Sequence, residues 1–211
     1  MRTVVIIQAR MGSKRLPGKV LLPLGHGRTV VAEVISRCQK ISGVDQIACA
    51  ISEAPGNDAL ALTASSAGAL VVRGSETDVL SRYVKAAQET EATHIVRITA
   101  DCPLISPELC AEVVRRQKEW GVKYASNVYP VRTWPKGMDC EVFTLDALLE
   151  ANRFALGVDR EHVTPWMQRA YQPWVCVESP WPIEGRLTLD TEDDYRVICA
   201  HFGHEPYREA A

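Results

Sequence analysis

Arg10, Lys14, Arg15 and Lys19 place four cationic side chains within ten residues, interleaved with Gly12, Pro17 and Gly18. The apolar run Val4-Val5-Ile6-Ile7 leads into them and reads as a buried strand, and Val20-Leu21-Leu22 follows. A strand that runs into a glycine-punctuated basic loop suits phosphate. Glycines let backbone N–H groups approach the oxygens, and Lys and Arg neutralise the charge. Four positive charges roughly match a nucleoside triphosphate. A Walker A loop needs four residues between its first glycine and the Gly-Lys pair, then Ser or Thr for magnesium. Here five residues separate Gly12 from Gly18, and Val20 follows Lys19. Valine cannot bind a metal, which argues against a P-loop kinase or ATPase. The G-x-G-x-x-G dinucleotide fingerprint is also absent. A solvated basic turn or a nucleic-acid patch is the plainer alternative.

Two aspartates follow strand-like runs. Asp101 comes after Ile95–Thr99, in the turn Thr99-Ala100-Asp101-Cys102-Pro103-Leu104, and Asp190 comes after Leu187-Thr188-Leu189. In open parallel sheets, ligands sit beyond the carboxyl ends of the strands. Two carboxylates meeting a triphosphate loop there would make a Mg²⁺ site, because magnesium takes one or two carboxylates, substrate phosphates and waters. Each has a structural alternative. Asp190, with Glu192-Asp193-Asp194, suits the positive end of a helix. Asp101 suits an Asx turn.

The elements that must position these groups alternate. Residues 3–8, 46–51, 70–72 and 94–99 read as strands. Helices are expected over 29–41 with Thr29 as N-cap, from Asn57 to about Ala67, from Thr77 as cap, and from Ser106 with Pro107 first and Gly121 just past the end. Repeated βα units imply a mostly parallel sheet with helices on both faces. From Lys123 the rhythm changes. Residues 124–143 read as two strands around a Pro/Trp/Gly-rich loop. Helices are expected near 145–154 and 160–171, then a strand Trp174–Glu178. Leu187-Thr188-Leu189 and a helix from Thr191 return to the βα pattern. The reading is one domain, 1–211, with 123–180 as an inserted lobe.

Composition limits the function classes. The 211 residues are 46% hydrophobic, enough for a sizeable core, and the net charge is −2. A general nucleic-acid binder would be basic overall, so a local anion site on a mildly acidic body is expected. The seven cysteines include no C-x-x-C pair, which reads as free thiols in a reducing compartment. Met1-Arg2-Thr3 leads directly into a strand, without the features of a signal peptide. No stretch approaches the ~20 apolar residues of a membrane span. The expectation is a cytoplasmic protein that binds neither nucleic acid nor membrane.

Taken together, these motifs resemble the cytidylyltransferases that make CMP-activated sugars. The spore-coat-polysaccharide type is nearest; the Kdo and acylneuraminate synthetases are more distant. The resemblance spans essentially the whole chain. It begins with Gln8-Ala9-Arg10-Met11-Gly12-Ser13-Lys14-Arg15-Leu16-Pro17-Gly18-Lys19 and continues with Gly74-Ser75-Glu76-Thr77-Asp78-Val79-Leu80-Ser81-Arg82-Tyr83. The turn Thr99–Leu104 is similar to the family's first metal aspartate, and Leu187–Asp193 to its second. Arg132–Phe143 and Arg160–Pro165 resemble its acceptor lobe. There are departures: Kdo synthetases usually carry Gly-Asp-Glu-Pro where Ala100-Asp101-Cys102-Pro103 stands here. Sialic acid enzymes usually have a second glycine at the position of Met11.

The resemblance implies a Rossmann-like nucleotidyltransferase that converts CTP and an acidic sugar to CMP-sugar and pyrophosphate. In that scheme Ala9, Arg10, Gly12, Ser13, Arg15 and Lys19 hold the triphosphate, and Arg73 and Ser75 line the base side. Asp101 and Asp190 hold Mg²⁺, and Arg10, Lys19 and both aspartates are the catalytic set. Arg132, Lys136, Asp139, Glu141, Glu161 and His162 face the acceptor, where a guanidinium suits a sugar carboxylate. Plainer roles stay open: Asp139 and Glu141 alternate along a strand, Arg160 and Glu161 make a surface pair, and His162 is either a general base or a core histidine. Another NTP, a non-sugar acceptor such as a phosphonate, or a non-catalytic nucleotide-binding module are the alternatives. Trp134, Trp166, Trp174 and Trp181 lie on or beside the lobe, and related synthetases often dimerise there, so a homodimer is expected. The alternative is that these rings pack the lobe onto the sheet.

Overall fold

The computed structural model describes residues 1–25, 27–171, 179 and 185–206. Six strands form one sheet: β1 (Thr3–Ala9), β2 (Gln46–Ser52), β3 (Leu70–Gly74), β4 (His94–Thr99), β5 (Tyr124–Ser126) and β6 (Glu141–Thr144). Their order is β3-β2-β1-β4-β6-β5. β1 to β4 are parallel, while β6 runs antiparallel to β4 and β5 antiparallel to β6. The helices are α1 (Val30–Cys38), α2 (Asp58–Ser66), α3 (Val79–Glu89), α4 (Pro107–Trp120), α5 (Leu145–Phe154), α6 (Val158–His162), α7 (Pro165–Ala170) and α8 (Glu192–His201).

The strand alternation explains the layers. Val5 and Ile7 of β1 point into one core with α1, α2, α4 and α8, through Val34, Leu60, Val113 and Ile198. Val4 and Ile6 point into the other, with Leu80 and Tyr83 of α3 and Leu148 of α5. A strand buried on both faces must be apolar throughout, which is why Val4-Val5-Ile6-Ile7 is unbroken. Helix starts follow their caps: Thr29, Ser106 and Thr191 each accept a bond from a first-turn N–H.

Residues 124–143 hold the two expected strands, and both belong to the main sheet. β6 pairs with β4 and extends the main sheet, and β5 pairs with β6. Several expectations are corrected. Asp78, not Thr77, caps α3 by accepting from Ser81 N at 3.0 Å. The helix expected over 160–171 is broken, because Val163 adopts φ 72° and Pro165, which has no N–H to bond back into α6, starts a new helix. Leu187–Leu189 is not a strand. It hangs from two carbonyls, with Leu187 N donating to Lys136 O at 2.7 Å and Leu189 N to Asp101 O at 2.8 Å. The strand expected at 174–178 lies outside the described residues.

Candidate active site

β1 ends at Ala9, and the basic loop begins one residue later at the carboxyl edge of the sheet. The loop folds back on itself: Ser13 N and Gly18 N both donate to Met11 O. Its base is fixed from outside, since Met11 N donates to Asn57 Oδ1 at 2.9 Å. Asn57 therefore anchors the loop and makes no side-chain cap bond to α2. Gly18 takes φ 68°, a left-handed conformation that glycine adopts without Cβ cost. It opens a single 3₁₀ turn, Lys19–Leu21. That turn drives Lys19 inward, leaving it 8% exposed, while Arg10, Lys14 and Arg15 stay at the surface.

The two aspartates meet at Lys19. Its Nζ donates to Asp101 Oδ2 at 2.6 Å, to Asp190 Oδ1 at 2.8 Å and to Leu189 O at 2.7 Å. Residues 89 apart in sequence are thus brought to one ammonium. Burial acts to raise the Asp101 carboxyl, but Lys19 outweighs it and holds the group below the usual carboxylate range. Asp190 Oδ2 also faces Arg15 at 2.9 Å and pairs with Arg186. Behind it, Thr191 and Asp194 form a capping box on α8, and Asp194 Oδ2 accepts from Asp190 N at 2.9 Å. Asp190 thus leads into the helix start while its own carboxylate points away to Lys19. Gly137 fixes the depth of this segment. A Cβ there would stand 2.4 Å from the Leu187 carbonyl carbon, so only glycine lets the 130s loop approach so closely.

A cavity of about 670 Å³ opens over these groups. Ala9, Arg10, Gly12, Ser13, Arg15, Lys19, Asp101 and Asp190 line it, as do Glu161 and His162 from α6. Arg10 and Glu161 pair at 3.8 Å where the loop meets α6. Of the expected residues, ten are therefore together. The others are elsewhere. Arg73 pairs with Asp58 at 2.6 Å on the surface, and Ser75 Oγ accepts from Asp78 N. Arg132 grips Asp139 with two bonds of 2.6 and 2.9 Å. Lys136 is exposed and lends only its carbonyl to Leu187. Glu141 is 3% exposed and is bound by Arg97 at 2.5 Å, by Tyr124 Oη and by Gln168. Held by the buried Tyr124 and the largely covered Arg97 and Gln168, this carboxylate joins β6 to β4 and does not line the cavity.

Some lining residues escape sequence reasoning. Arg82 is 2% exposed yet reaches the cavity wall. It sits within the apolar face of α3 and donates to the carbonyls of Ser75 and Glu76. Gln8 and Glu76 also line the wall. Gln8 carried a signal, as the polar side chain that ends the apolar run Val4–Ile7 of β1. Glu76 carried none. Arg186, which pairs with Asp190 from an irregular segment, carried no periodic signal either.

Two carboxylates converging on one buried cation form a hard, oxygen-only donor set. Among the described residues, no three His, Cys, Asp or Glu side chains gather into a fuller metal set. Magnesium needs no fuller one, since it takes one or two carboxylates with phosphates and water. The donor set fits Mg²⁺ and is wrong for zinc, which prefers Cys and His.

Comparison with known proteins gives the same direction. A family model described as cytidylyltransferase matches residues 4–209. An uncharacterized protein of Methanocaldococcus jannaschii is 37% identical over 203 residues, covering 93% of this chain and 82% of that protein. The spore coat polysaccharide biosynthesis protein SpsF of Bacillus subtilis is 34% identical over 205 residues, covering 92% and 84%. A solved cytidylyltransferase structure from Leptospira borgpetersenii superposes with a TM-score of 0.83 at 31% identity, covering 95% of this chain and 86% of that one.

Proposed function

The chain belongs to the cytidylyltransferase family, an enzyme family that transfers CMP from CTP, and from that premise we propose an acidic sugar as its acceptor, with release of pyrophosphate. One observation carries the reading: the four-cation loop and the Asp101–Lys19–Asp190 cluster share one cavity. Phosphoryl transfer of this kind is mostly positioning and charge stabilisation. Arg10, Arg15 and Lys19, with backbone N–H groups near Gly12 and Ser13, hold the triphosphate. Asp101 and Asp190 are the residues that hold Mg²⁺, which when bound neutralises charge developing at the α-phosphate. The acceptor hydroxyl attacks the α-phosphorus in line. His162 and Glu161, which line the same cavity beside Arg10, orient the acceptor and accept its proton.

Synthesis of a surface polysaccharide is the role we assign, by likeness to SpsF. Among the described residues no helix is long and apolar enough to cross a membrane. We also propose a homodimer. Phe154, Leu156 and Val158 are 53%, 80% and 62% exposed on adjoining ends of α5 and α6, and Trp166 stacks on Phe154 at 5.9 Å. Light scattering tests this against the 23.4 kDa monomer mass. The reaction is tested by pyrophosphate release from each of the four NTPs over a panel of 2-keto-3-deoxy sugar acids. CTP with one sugar acid is the expected pair. Turnover with another NTP, or only with a non-acidic acceptor, would reject the reading.

A further inference from the structure

We propose that Lys19 is a resident counter-ion: its ammonium holds the place of the divalent cation between Asp101 and Asp190 until a nucleoside triphosphate draws it away. The inference rests on the site reading above and adds an order of binding to it. An ammonium has three donor hydrogens. Lys19 spends three on Asp101 Oδ2, Asp190 Oδ1 and Leu189 O, at 2.6 to 2.8 Å. None remains for a phosphate. Lys19 must therefore give up a protein partner to bind the triphosphate, and the carboxylates are its charged partners.

The rest of the cluster closes the site in the same sense. The second oxygen of Asp190 is taken by Arg15 and Arg186. A divalent cation arriving alone meets carboxylates already neutralised by three positive side chains, in a place where Lys19 is 8% exposed. It must displace Lys19 into a loop that already carries Arg10, Lys14 and Arg15, which is unfavourable. A triphosphate reverses the balance. Its negative charge gives Lys19 and Arg15 a better partner on the loop side, and the two carboxylates are left facing each other with like charge. They then attract a cation strongly. The metal thus enters with the nucleotide and not ahead of it.

The test is calorimetric titration of the free protein with magnesium chloride, without nucleotide, so it reads the order of binding independently of whether CMP transfer occurs. Wild type is expected to bind Mg²⁺ weakly. Lys19→Met, which removes the charge and keeps the stem, should bind it about tenfold more tightly or better, the size of an ordinary coupling between sites. Lys19→Gln should move the same way. Thermal unfolding gives a second readout: magnesium alone should raise the Tm of both variants more than that of wild type. If Lys19→Met folds only with magnesium present, that rescue supports the proposal, and failure of magnesium to rescue it overturns it. Equal or weaker Mg²⁺ affinity in both variants, with no extra Tm gain, makes Lys19 a static bridge and overturns it too.

Discussion

Beyond the carboxyl end of β1, Arg10, Lys14 and Arg15 of the basic loop stay at the surface of a cavity and only Lys19 turns inward, whereas around β6 the charged residues are used on one another. Arg10 has only Glu161, 3.8 Å away. Arg97 and Glu141, by contrast, meet at 2.5 Å with side chains 14% and 4% exposed. Arg160 is tied to Asp78 across 82 residues of sequence at 2.7 Å. The same residue types therefore do two jobs: on the loop they line an open cavity, with Lys19 and Arg15 held on the aspartates, and around β6 they join segments. Burial and partner geometry, not residue type, decide which.

The sharpest way to break this contrast is at the shared centre. Asp101→Asn and Asp190→Asn are each expected to leave a folded protein whose pyrophosphate release falls by about 10²- to 10⁴-fold, since each removes charge at the transferring group. Circular dichroism and turnover measured together decide it; near-normal turnover in either variant removes that residue from the metal role. Asp101 also sets an acid limb. Its folded carboxyl lies below the ordinary 3.8, so the Lys19 pair contributes stability that is complete above that pH. The contribution is lost as pH falls toward the folded value. Asp101→Asn should flatten that part of the stability curve.

The parallel half and the loop were legible because their signals are local. A buried strand shows as an unbroken apolar run, caps such as Thr29 and Ser106 precede their helices, and Gly18 marks a turn. Asp101 and Asp190 were legible for a related reason: each closes a strand-like run, and parallel topology sends such ends to one edge. Even there Leu187–Leu189 is no strand, but a segment hung from Lys136 and Asp101. What stayed hidden was long-range pairing. Nothing near Glu141 in sequence announces Arg97, and nothing near Asn57 announces Met11. Arg73 and Arg82 were alike on paper, yet one lies on the surface with Asp58 while the other lines the cavity.

Glu141 is the next test, because it separates a seam residue from an acceptor ligand. Glu141→Ala leaves Arg97 buried without its partner, and loss of one member of a buried pair costs about 3–5 kcal/mol. A large drop in Tm is expected, with nearly unchanged kcat/KM per folded molecule. A stable variant with a raised acceptor KM would return Glu141 to the acceptor site. Arg132→Ala should do the reverse. Its pair with Asp139 is part-exposed, so stability should change little, by under about 1 kcal/mol. If it grips the sugar carboxylate, acceptor KM should rise about tenfold while CTP affinity holds. Unchanged acceptor KM would leave Arg132 as a partner of Asp139 alone.

The smallest expected effect comes from Asn57, the residue that crosses from one role to the other. Its carbonyl oxygen accepts from Met11 N, and its amide donates to Ala54 O at 2.8 Å. One side chain thus pins the base of the loop to the start of α2. Asn57 is 3% exposed, so Asn57→Ala leaves Met11 N without its acceptor, at a cost of about 1–3 kcal/mol. Were Asn57 only a helix cap, the loss would be confined to stability. As a loop anchor it should also weaken CTP, by a few-fold, because Gly12 and Ser13 would no longer be held for the phosphates. Asn57→Asp keeps the acceptor but loses the donor and adds a negative charge; measured at high salt, which screens that charge, it should retain more of the CTP affinity than Asn57→Ala. Calorimetry with CTP on both variants, beside their Tm values, separates the two roles. If the two variants lose CTP affinity equally, or neither loses any, the bond to Met11 does not set the loop's grip on the nucleotide.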